Sequence, residues 1–195
     1  MQLRHYQQEA FDAILRELGT HRSTMILMAT GVGKSVIAAH VAKHFVQFGR
    51  IMILAHRDEL IRQLAKTVYE VTGIIPAIEK ASEYSDEDTL ESLRPRIVVS
   101  TFQTQYSGEP ERMRRFGPNQ FSLVISDELH HSAAPSFFKV LDYYVQGNPD
   151  LKLFGMTATG DRADGVTLGH IVKSVAYRYN IRDAVNDGYL VPVEA

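Results

Sequence analysis

Short apolar runs alternate along this chain with longer stretches whose apolar residues recur at helical spacing. The first run, residues 25–29, is apolar throughout and predicts a strand that is buried on both faces of a sheet. Similar runs predict further strands at residues 51–55, 97–100, 123–126 and 151–155.

Helical patterns follow the first two runs. One helix is predicted from Lys34 to about Phe48, and another from about Asp58, its expected N-cap, to Val71. The apolar positions expected to face the core are Val36, Ile37, Val41 and Phe45 in the first helix and Leu60, Ile61, Leu64 and Val68 in the second. Alternating strands and helices predict an α/β fold with a mostly parallel sheet and helices on both faces. Ligands of such sheets bind beyond the carboxyl ends of the strands.

Two segments interrupt this alternation. Residues 83–91 contain five acidic side chains, and residues 108–120 mix Gly, Pro and Arg. Both are predicted to be exposed loops or short surface helices rather than linkers between domains. Because the chain also has no internal repeat, residues 1–195 are expected to form a single domain.

The composition narrows the class of protein. The chain has 195 residues, of which 45% are hydrophobic and 23% charged, as in ordinary globular domains. It contains no cysteine, which excludes disulfides, a thiol nucleophile and zinc sites built on Cys. No apolar run approaches the roughly 20 residues that span a bilayer, so we expect an intracellular, cytoplasmic protein without a membrane partner. The net charge of −2 means that any nucleic-acid binding must come from local contacts.

A glycine-rich segment, Ala29-Thr30-Gly31-Val32-Gly33-Lys34-Ser35, joins the first predicted strand to the first predicted helix. Its backbone N–H groups and the helix N-terminus can together bind phosphate. Lys34 can reach the β- and γ-phosphates, and the Ser35 hydroxyl can bind Mg²⁺. The longer phosphate-loop pattern has Gly where this chain has Met28, and a plain turn capped by Ser is the alternative.

Two adjacent acids, Asp127 and Glu128, follow the fourth predicted strand. Such a pair is usually a solvated turn, but beside a phosphate loop it has a defined chemistry. Asp127 can hold Mg²⁺, directly or through water, and Glu128 can polarise the water that attacks the γ-phosphate. His130 would lie nearby, able to sense the nucleotide; a metal pair with His131 is not favoured, because neighbouring side chains point apart.

The order of these motifs resembles the first RecA-like domain of superfamily-two helicases and translocases of the DEAD/DEAH-box kind, in particular the branch of restriction-enzyme motor subunits and DNA-repair helicases. Residues 28–35 resemble motif I, residues 127–130 resemble motif II, and residues 155–159 resemble motif III. Ser126, Leu129 and Gly160 depart from the commoner residues; Ala or Cys is usual in place of Leu129. The resemblance implies a RecA-like P-loop NTPase that uses ATP and Mg²⁺.

The resemblance also implies roles for other residues. Residues 3–7 are similar to the family's entry motif, whose Gln reads adenine, and residues 55–60 and 100–104 are similar to motifs Ia and Ib, which touch the nucleic-acid backbone. The candidates for nucleotide binding are therefore Arg4, Gln7, Thr30, Gly31, Val32, Gly33, Lys34 and Ser35; those for nucleic-acid binding are Arg57, Thr101 and Gln103; those for coupling are His130, Thr157 and Thr159. Ordinary loop hydrogen bonding is the alternative for Thr101 and Gln103.

The function implied is the ATP-binding lobe of an ATP-dependent DNA helicase or translocase, with Lys34, Asp127 and Glu128 as its catalytic residues. Residues 181–193 resemble the helix and strand that close this lobe. The second RecA-like lobe, which carries arginine fingers in the family, is expected to be absent, so the isolated piece should hydrolyse ATP poorly. An RNA helicase, a P-loop kinase or nucleotide switch unrelated to nucleic acid, and a non-catalytic interaction lobe are the alternatives.

Overall fold

The computed structural model describes residues 1–80, 83–85, 91–108, 111–129, 135–158 and 171–191. Its strands are β1 (Ser23–Met28), β2 (Arg50–Ala55), β3 (Ala77–Glu79), β4 (Ile97–Thr101), β5 (Phe121–Ser126), β6 (Lys152–Thr157) and β7 (Val175–Tyr179). Its helices are α1 (His5–Thr20), α2 (Lys34–Phe45), α3 (Ile61–Thr72), α4 (Phe102–Tyr106), α5 (Pro135–Gly147) and α6 (Ile181–Asn186). Short 3-10 helices cover Asp58–Leu60, Glu91–Leu93 and Arg112–Arg115.

The strands of the described ranges form one sheet in the order β3-β4-β2-β5-β6-β1-β7, and each neighbouring pair is parallel. The carboxyl ends of the strands therefore lie at one edge of the sheet. β6 pairs with β1, where Thr157 lies opposite Leu27, and with β5, where Gly155 lies opposite Ser126. The carboxyl ends of β1, β6 and β5 are consequently neighbours.

Two apolar cores cover the two faces of the sheet. Ile53 and Ile125 belong to the core under α1, α2 and α3, whereas Met52 and Val124 belong to the core under α4 and α5. Adjacent strand residues thus point into opposite cores, as expected when both faces of a sheet are covered. The predicted α/β architecture, with a parallel sheet and helices on both faces, is confirmed. In the described ranges, no helix is long and apolar enough to cross a membrane.

The element boundaries depart from the prediction in several places. The five predicted strands are present, but the helix expected to extend to about Phe48 ends at Phe45. Val36 and Phe45 are only half-buried, because the small residues Ala38, Ala39 and Ala42 contribute much of the face that α2 turns to the core. The helix expected in residues 181–193 is confirmed as α6, whereas residues 187–191 form no strand and residues 192–195 lie outside the described ranges.

The prediction that Asp58 caps the following helix is wrong. The chain first makes the 3-10 turn Asp58–Leu60, and α3 begins at Ile61. The Asp58 carboxylate lies 3.7 Å from the Lys80 amine instead. Leu60, expected among the core-facing positions, is 41% exposed, because the tighter turn places it off the buried face of α3.

The segment 108–120 is not simply an exposed loop. Its Arg112, Met113 and Phe116 are buried, and residues 109–110 lie outside the described ranges. The apolar side chains of this segment belong to the core under α4 and α5. The connection between α4 and β5 is therefore part of the packed structure.

Glu79, the fully buried last residue of β3, ties this connection to the sheet. Its Oε1 accepts hydrogen bonds from Arg112 Nε and from Arg115 Nη1, the latter at 3.0 Å. Its Oε2 accepts from the backbone nitrogen of Ser85 at 2.6 Å and from the Ser85 hydroxyl at 2.8 Å. Ser85 is buried too, so residues 83–85 are not a purely solvated acidic stretch, while residues 86–90 lie outside the described ranges.

Replacing Glu79 with Gln (Glu79→Gln) is expected to lower the free energy of unfolding by about 3 kcal/mol, because two guanidinium groups then lack a buried counter-charge. Urea denaturation followed by circular dichroism measures the difference. Glu59→Gln is the control, since Glu59 is exposed, and it should change stability by less than about 0.5 kcal/mol. Unchanged stability of the Glu79 variant would contradict the role of Glu79 as the buried counter-charge of Arg112 and Arg115.

Candidate functional site

The glycine-rich segment forms the turn between β1 and α2 at the carboxyl edge of the sheet. Gly31 and Gly33 have φ angles of 86° and 80°, a left-handed conformation that strains other residues. A Cβ atom on Gly33 would lie 2.6 Å from Nε2 of Gln7. The turn therefore needs glycine at this position, and with the N-terminus of α2 it forms a cradle suited to an anion.

Helix α1 holds this turn in place. The Tyr6 hydroxyl and Gln7 Nε2 both donate hydrogen bonds to the backbone oxygen of Val32, at 2.8 and 3.0 Å. Gln7 Oε1 accepts from the backbone nitrogen of Arg4 at 2.9 Å. Tyr6 and Gln7 are buried, so in this structure Gln7 supports the glycine-rich turn. The contact of Gln7 with adenine stays a prediction.

Arg4 lies beside a segment that the sequence did not connect with the site. Its guanidinium is 5.0 Å from the ring centre of Tyr189 and donates to the Tyr6 hydroxyl at 3.3 Å. The next residue, Leu190, lies 3.5 Å from the position that a Cβ on Gly31 would take. The segment after α6 therefore packs against the glycine-rich turn, a contact that spans most of the chain and has no local sequence signal.

Lys34 is buried at the start of α2, and its amine donates to the backbone oxygens of Met28 at 3.1 Å and Ala29 at 3.3 Å. Burial lowers the pKa of Lys34, whereas the charges of Glu128 and Asp127 raise it. The acids are therefore close enough to Lys34 to act on it electrostatically, although they follow a different strand. Ser35, the next residue of α2, is half-buried.

The acidic pair stands at the end of β5. The backbone nitrogen of Asp127 donates to the Leu54 oxygen at 2.9 Å, and Asp127 Oδ1 accepts from the Glu128 nitrogen at 3.1 Å. Burial and the Glu128 charge raise the pKa of Asp127, while Lys34 lowers it. A carboxylate in this setting is stabilised by a nearby cation.

Glu128 has an unusual backbone conformation. Its φ is 52°, the only positive value of a non-glycine residue in the described ranges. One oxygen of its side chain, Oε2, is shielded from solvent. The backbone at Glu128 is thus strained and part of its carboxylate is buried, and backbone strain of this kind is common at functional sites.

The coupling candidates are only partly described. Thr157, the last residue of β6, is fully buried and lies opposite Leu27 of β1. It therefore stands between the glycine-rich turn and the acidic pair. His130 and Thr159 lie outside the described residues.

The nucleic-acid candidates do not share one environment. Arg57 and Gln103 are exposed and follow the neighbouring strands β2 and β4 at the same sheet edge. Thr101 is buried and caps α4: its hydroxyl accepts from the Thr104 nitrogen at 3.0 Å and donates to the Thr104 hydroxyl at 2.9 Å. The hydroxyl of Thr101 is therefore occupied within the protein, as the loop-bonding alternative predicts, and only Arg57 and Gln103 offer surface groups.

The donor set fits a metal that is bound together with phosphate. No group of three or more His, Cys, Asp or Glu residues that could hold a metal occurs among the residues that the structure describes. Mg²⁺ is usually bound by one or two carboxylates, waters and substrate phosphates rather than by a cage of protein ligands. Ser35 and Asp127, beside a turn that can hold phosphate, provide such a partial set.

The chain is similar in sequence to a described protein family and to individual proteins. Residues 1–162 match the family model described as "Type III restriction enzyme, res subunit". The chain is 30% identical over 200 residues to "Putative ATP-dependent helicase IRC3" of Saccharomyces cerevisiae, across 96% of this chain and 28% of that protein. It is 24% identical over 198 residues to the type I restriction enzyme EcoAI endonuclease subunit of Escherichia coli, across 97% of this chain and 23% of that protein.

A solved structure shares the fold. The nuclease-deletion mutant of the Type ISP restriction-modification enzyme LlaGI, in complex with a DNA substrate mimic, matches with a TM-score of 0.74 and 20% identity over 97% of this chain and 21% of that chain. The chain spans less than a third of the length of each of these three proteins.

Proposed function

The chain belongs to the family described as the type III restriction enzyme res subunit, and on this premise we propose that it is the ATP-binding lobe of an ATP-dependent DNA helicase or translocase. The observation that carries the proposal is that β1 and β5 both pair with β6, which places Lys34 and the acidic pair at one sheet edge. The acids are near enough there to raise the pKa of Lys34. The names of its relatives, an ATP-dependent helicase and a restriction-enzyme subunit, support it.

Each residue of the site has a proposed role in binding or hydrolysing ATP. Thr30, Gly31, Val32 and Gly33 cradle the phosphates through their backbone N–H groups, and Lys34 donates to the phosphate oxygens. Ser35 and Asp127 hold Mg²⁺, and Glu128 polarises the attacking water. When bound, Mg²⁺ neutralises charge on the transferring phosphoryl group. Arg4 and Gln7 would bind the adenine.

The remaining candidates concern the nucleic acid. Arg57 and Gln103 would contact the DNA backbone, and His130, Thr157 and Thr159 would couple hydrolysis to strand movement. A second RecA-like lobe would complete the ATP site in the working protein; the small share of each relative that this chain covers supports that expectation. The location we propose is intracellular, because ATP and DNA occur together inside cells, with the cytoplasm as the expected compartment.

The proposal is tested by measuring the ATPase activity of the complete protein with single-stranded DNA, duplex DNA and RNA. Stimulation by DNA above RNA is the expected result. Stimulation by RNA alone would favour an RNA helicase. Turnover that no polynucleotide changes would instead favour a P-loop enzyme unrelated to nucleic acid.

Lys34→Ala is expected to weaken Mg-ATP binding, because Lys34 donates charge-assisted hydrogen bonds to the phosphates. Such bonds contribute about 1.5–3 kcal/mol each, which corresponds to roughly 10- to 100-fold in dissociation constant. Titration with a fluorescent ATP analogue measures the loss. Lys43→Ala is the matched control, since Lys43 is an exposed lysine of the same helix. Equal affinities of the two variants would rule out the assigned role.

Glu128→Gln is expected to separate binding from turnover. The amide keeps the shape of the side chain but cannot act as a base, so kcat should fall by about 10²–10⁴-fold while ATP still binds. Single-turnover hydrolysis and equilibrium binding measure the two quantities in the complete protein. Hydrolysis of ATP by this variant at the wild-type rate would show that Glu128 is not the base.

Arg57→Ala is expected to weaken binding of single-stranded DNA and to reduce the slope of log K against log salt concentration by about 0.7, the value for one phosphate contact. Fluorescence anisotropy at several salt concentrations measures this slope. Arg16→Ala, an exposed arginine of α1, is the control. An identical slope in both variants would argue against a phosphate contact at Arg57.

A further inference from the structure

Leu129, the residue after the acidic pair, packs into a notch that exists because residue 155 is glycine. A Cβ atom on Gly155 would lie 2.4 Å from Leu129 Cδ2 and 3.3 Å from its Cγ. Leu129 is fully buried and belongs to the core under α4 and α5. Its side chain thus fills the space that a side chain at position 155 would need.

The same glycine also fixes the other end of the acidic turn. Gly155 of β6 lies opposite Ser126, the last residue of β5, in the register of the sheet. Asp127 and Glu128 are the two residues between Ser126 and Leu129. The turn is therefore anchored to Gly155 twice, by strand pairing where it begins and by side-chain packing where it ends.

The conformation of Glu128 explains why a second anchor matters. Its φ of 52° lies in the left-handed region, which a residue with a side chain adopts only when its surroundings enforce it. Strand pairing ends before Glu128 and cannot enforce this conformation alone. The packing of Leu129 restricts the chain on the other side.

We propose that the packing of Leu129 against Gly155 positions the Glu128 carboxylate to polarise the water that attacks the γ-phosphate. This inference rests on the proposed function. Leu129 and Gly155 are positioning residues, since they act through Glu128. Because β6 continues from Gly155 to Thr157 at the carboxyl edge, the contact also joins the acidic turn directly to the strand that carries the coupling candidate.

The first variant is Gly155→Ala in the complete protein. Gly155 does not have a positive φ, so alanine suits the backbone, and the three heavy atoms nearest to the added methyl group all belong to Leu129. A displacement of the reacting group by about 1 Å can lower the rate about 100-fold. We expect kcat to fall by about 10- to 100-fold, while the dissociation constant for Mg-ATP stays within about twofold of wild type.

The second and third variants complete a double-mutant cycle. Leu129→Ala removes the anchor and should lower kcat by about tenfold, again with ATP binding retained. In the Leu129→Ala background the methyl group at position 155 meets no leucine, so adding Gly155→Ala should change kcat by less than about twofold. An equal loss from Gly155→Ala in both backgrounds would overturn the proposal. So would a wild-type kcat in either single variant.

Gly147→Ala is the matched steric control. A Cβ there would lie 2.3 Å from Pro118 Cβ, an equally close contact, but at the end of α5 and away from the acidic turn. We expect it to lower the melting temperature while kcat per folded molecule is retained. A loss of kcat in this control equal to that of Gly155→Ala would show a general packing effect and overturn the proposal. Absence of ATP hydrolysis by the wild type would refute the proposed function itself, whereas normal turnover by Gly155→Ala refutes only the positioning role.

Discussion

The site depends on the parallel pairing of β6 with β1 on one side and β5 on the other. This pairing places Thr157 opposite Leu27 and Gly155 opposite Ser126, so the turns after β1 and β5 flank the end of a single strand. Lys34 and the acidic pair are far apart along the chain, and no local interaction could bring them together. The register of three strands does so, and the two apolar cores hold that register by covering both faces of the sheet.

The parts of this arrangement that the sequence predicts are those with a local physical signal. Residues 51–55 and 123–125 are uninterrupted apolar runs, and both lie in strands because a doubly covered sheet buries both faces. The glycines at 31 and 33 signal a turn directly, because the conformation of that turn is one that glycine adopts without strain. These two signals suffice to predict that the glycine-rich turn and the acidic pair lie at one edge of the sheet.

The parts that the sequence did not predict are set by distant partners. β3 and β7 are short or half-exposed strands whose positions depend on pairing with β4 and β1. Thr101 looks like a surface residue after a strand, but its hydroxyl caps α4. The burial of Arg112 requires Glu79, and the notch for Leu129 requires Gly155, so neither can be inferred from one segment alone.

The electrostatics of the site indicate why a nucleotide and its metal would bind together. Burial works against the charged forms of both Lys34 and Asp127, shifting the pKa of the lysine down and that of the carboxyl up. The hydrogen bonds of the Lys34 amine to Met28 and Ala29 have neutral acceptors, and phosphate oxygens would replace them with stronger, charge-assisted bonds. A polyanion alone would meet the repulsion of two carboxylates, and a divalent cation alone would meet that of the lysine. Bound as a complex, each ion would screen the repulsion that the other would meet, and this electrostatic balance supports the proposal that the nucleotide and Mg²⁺ bind together.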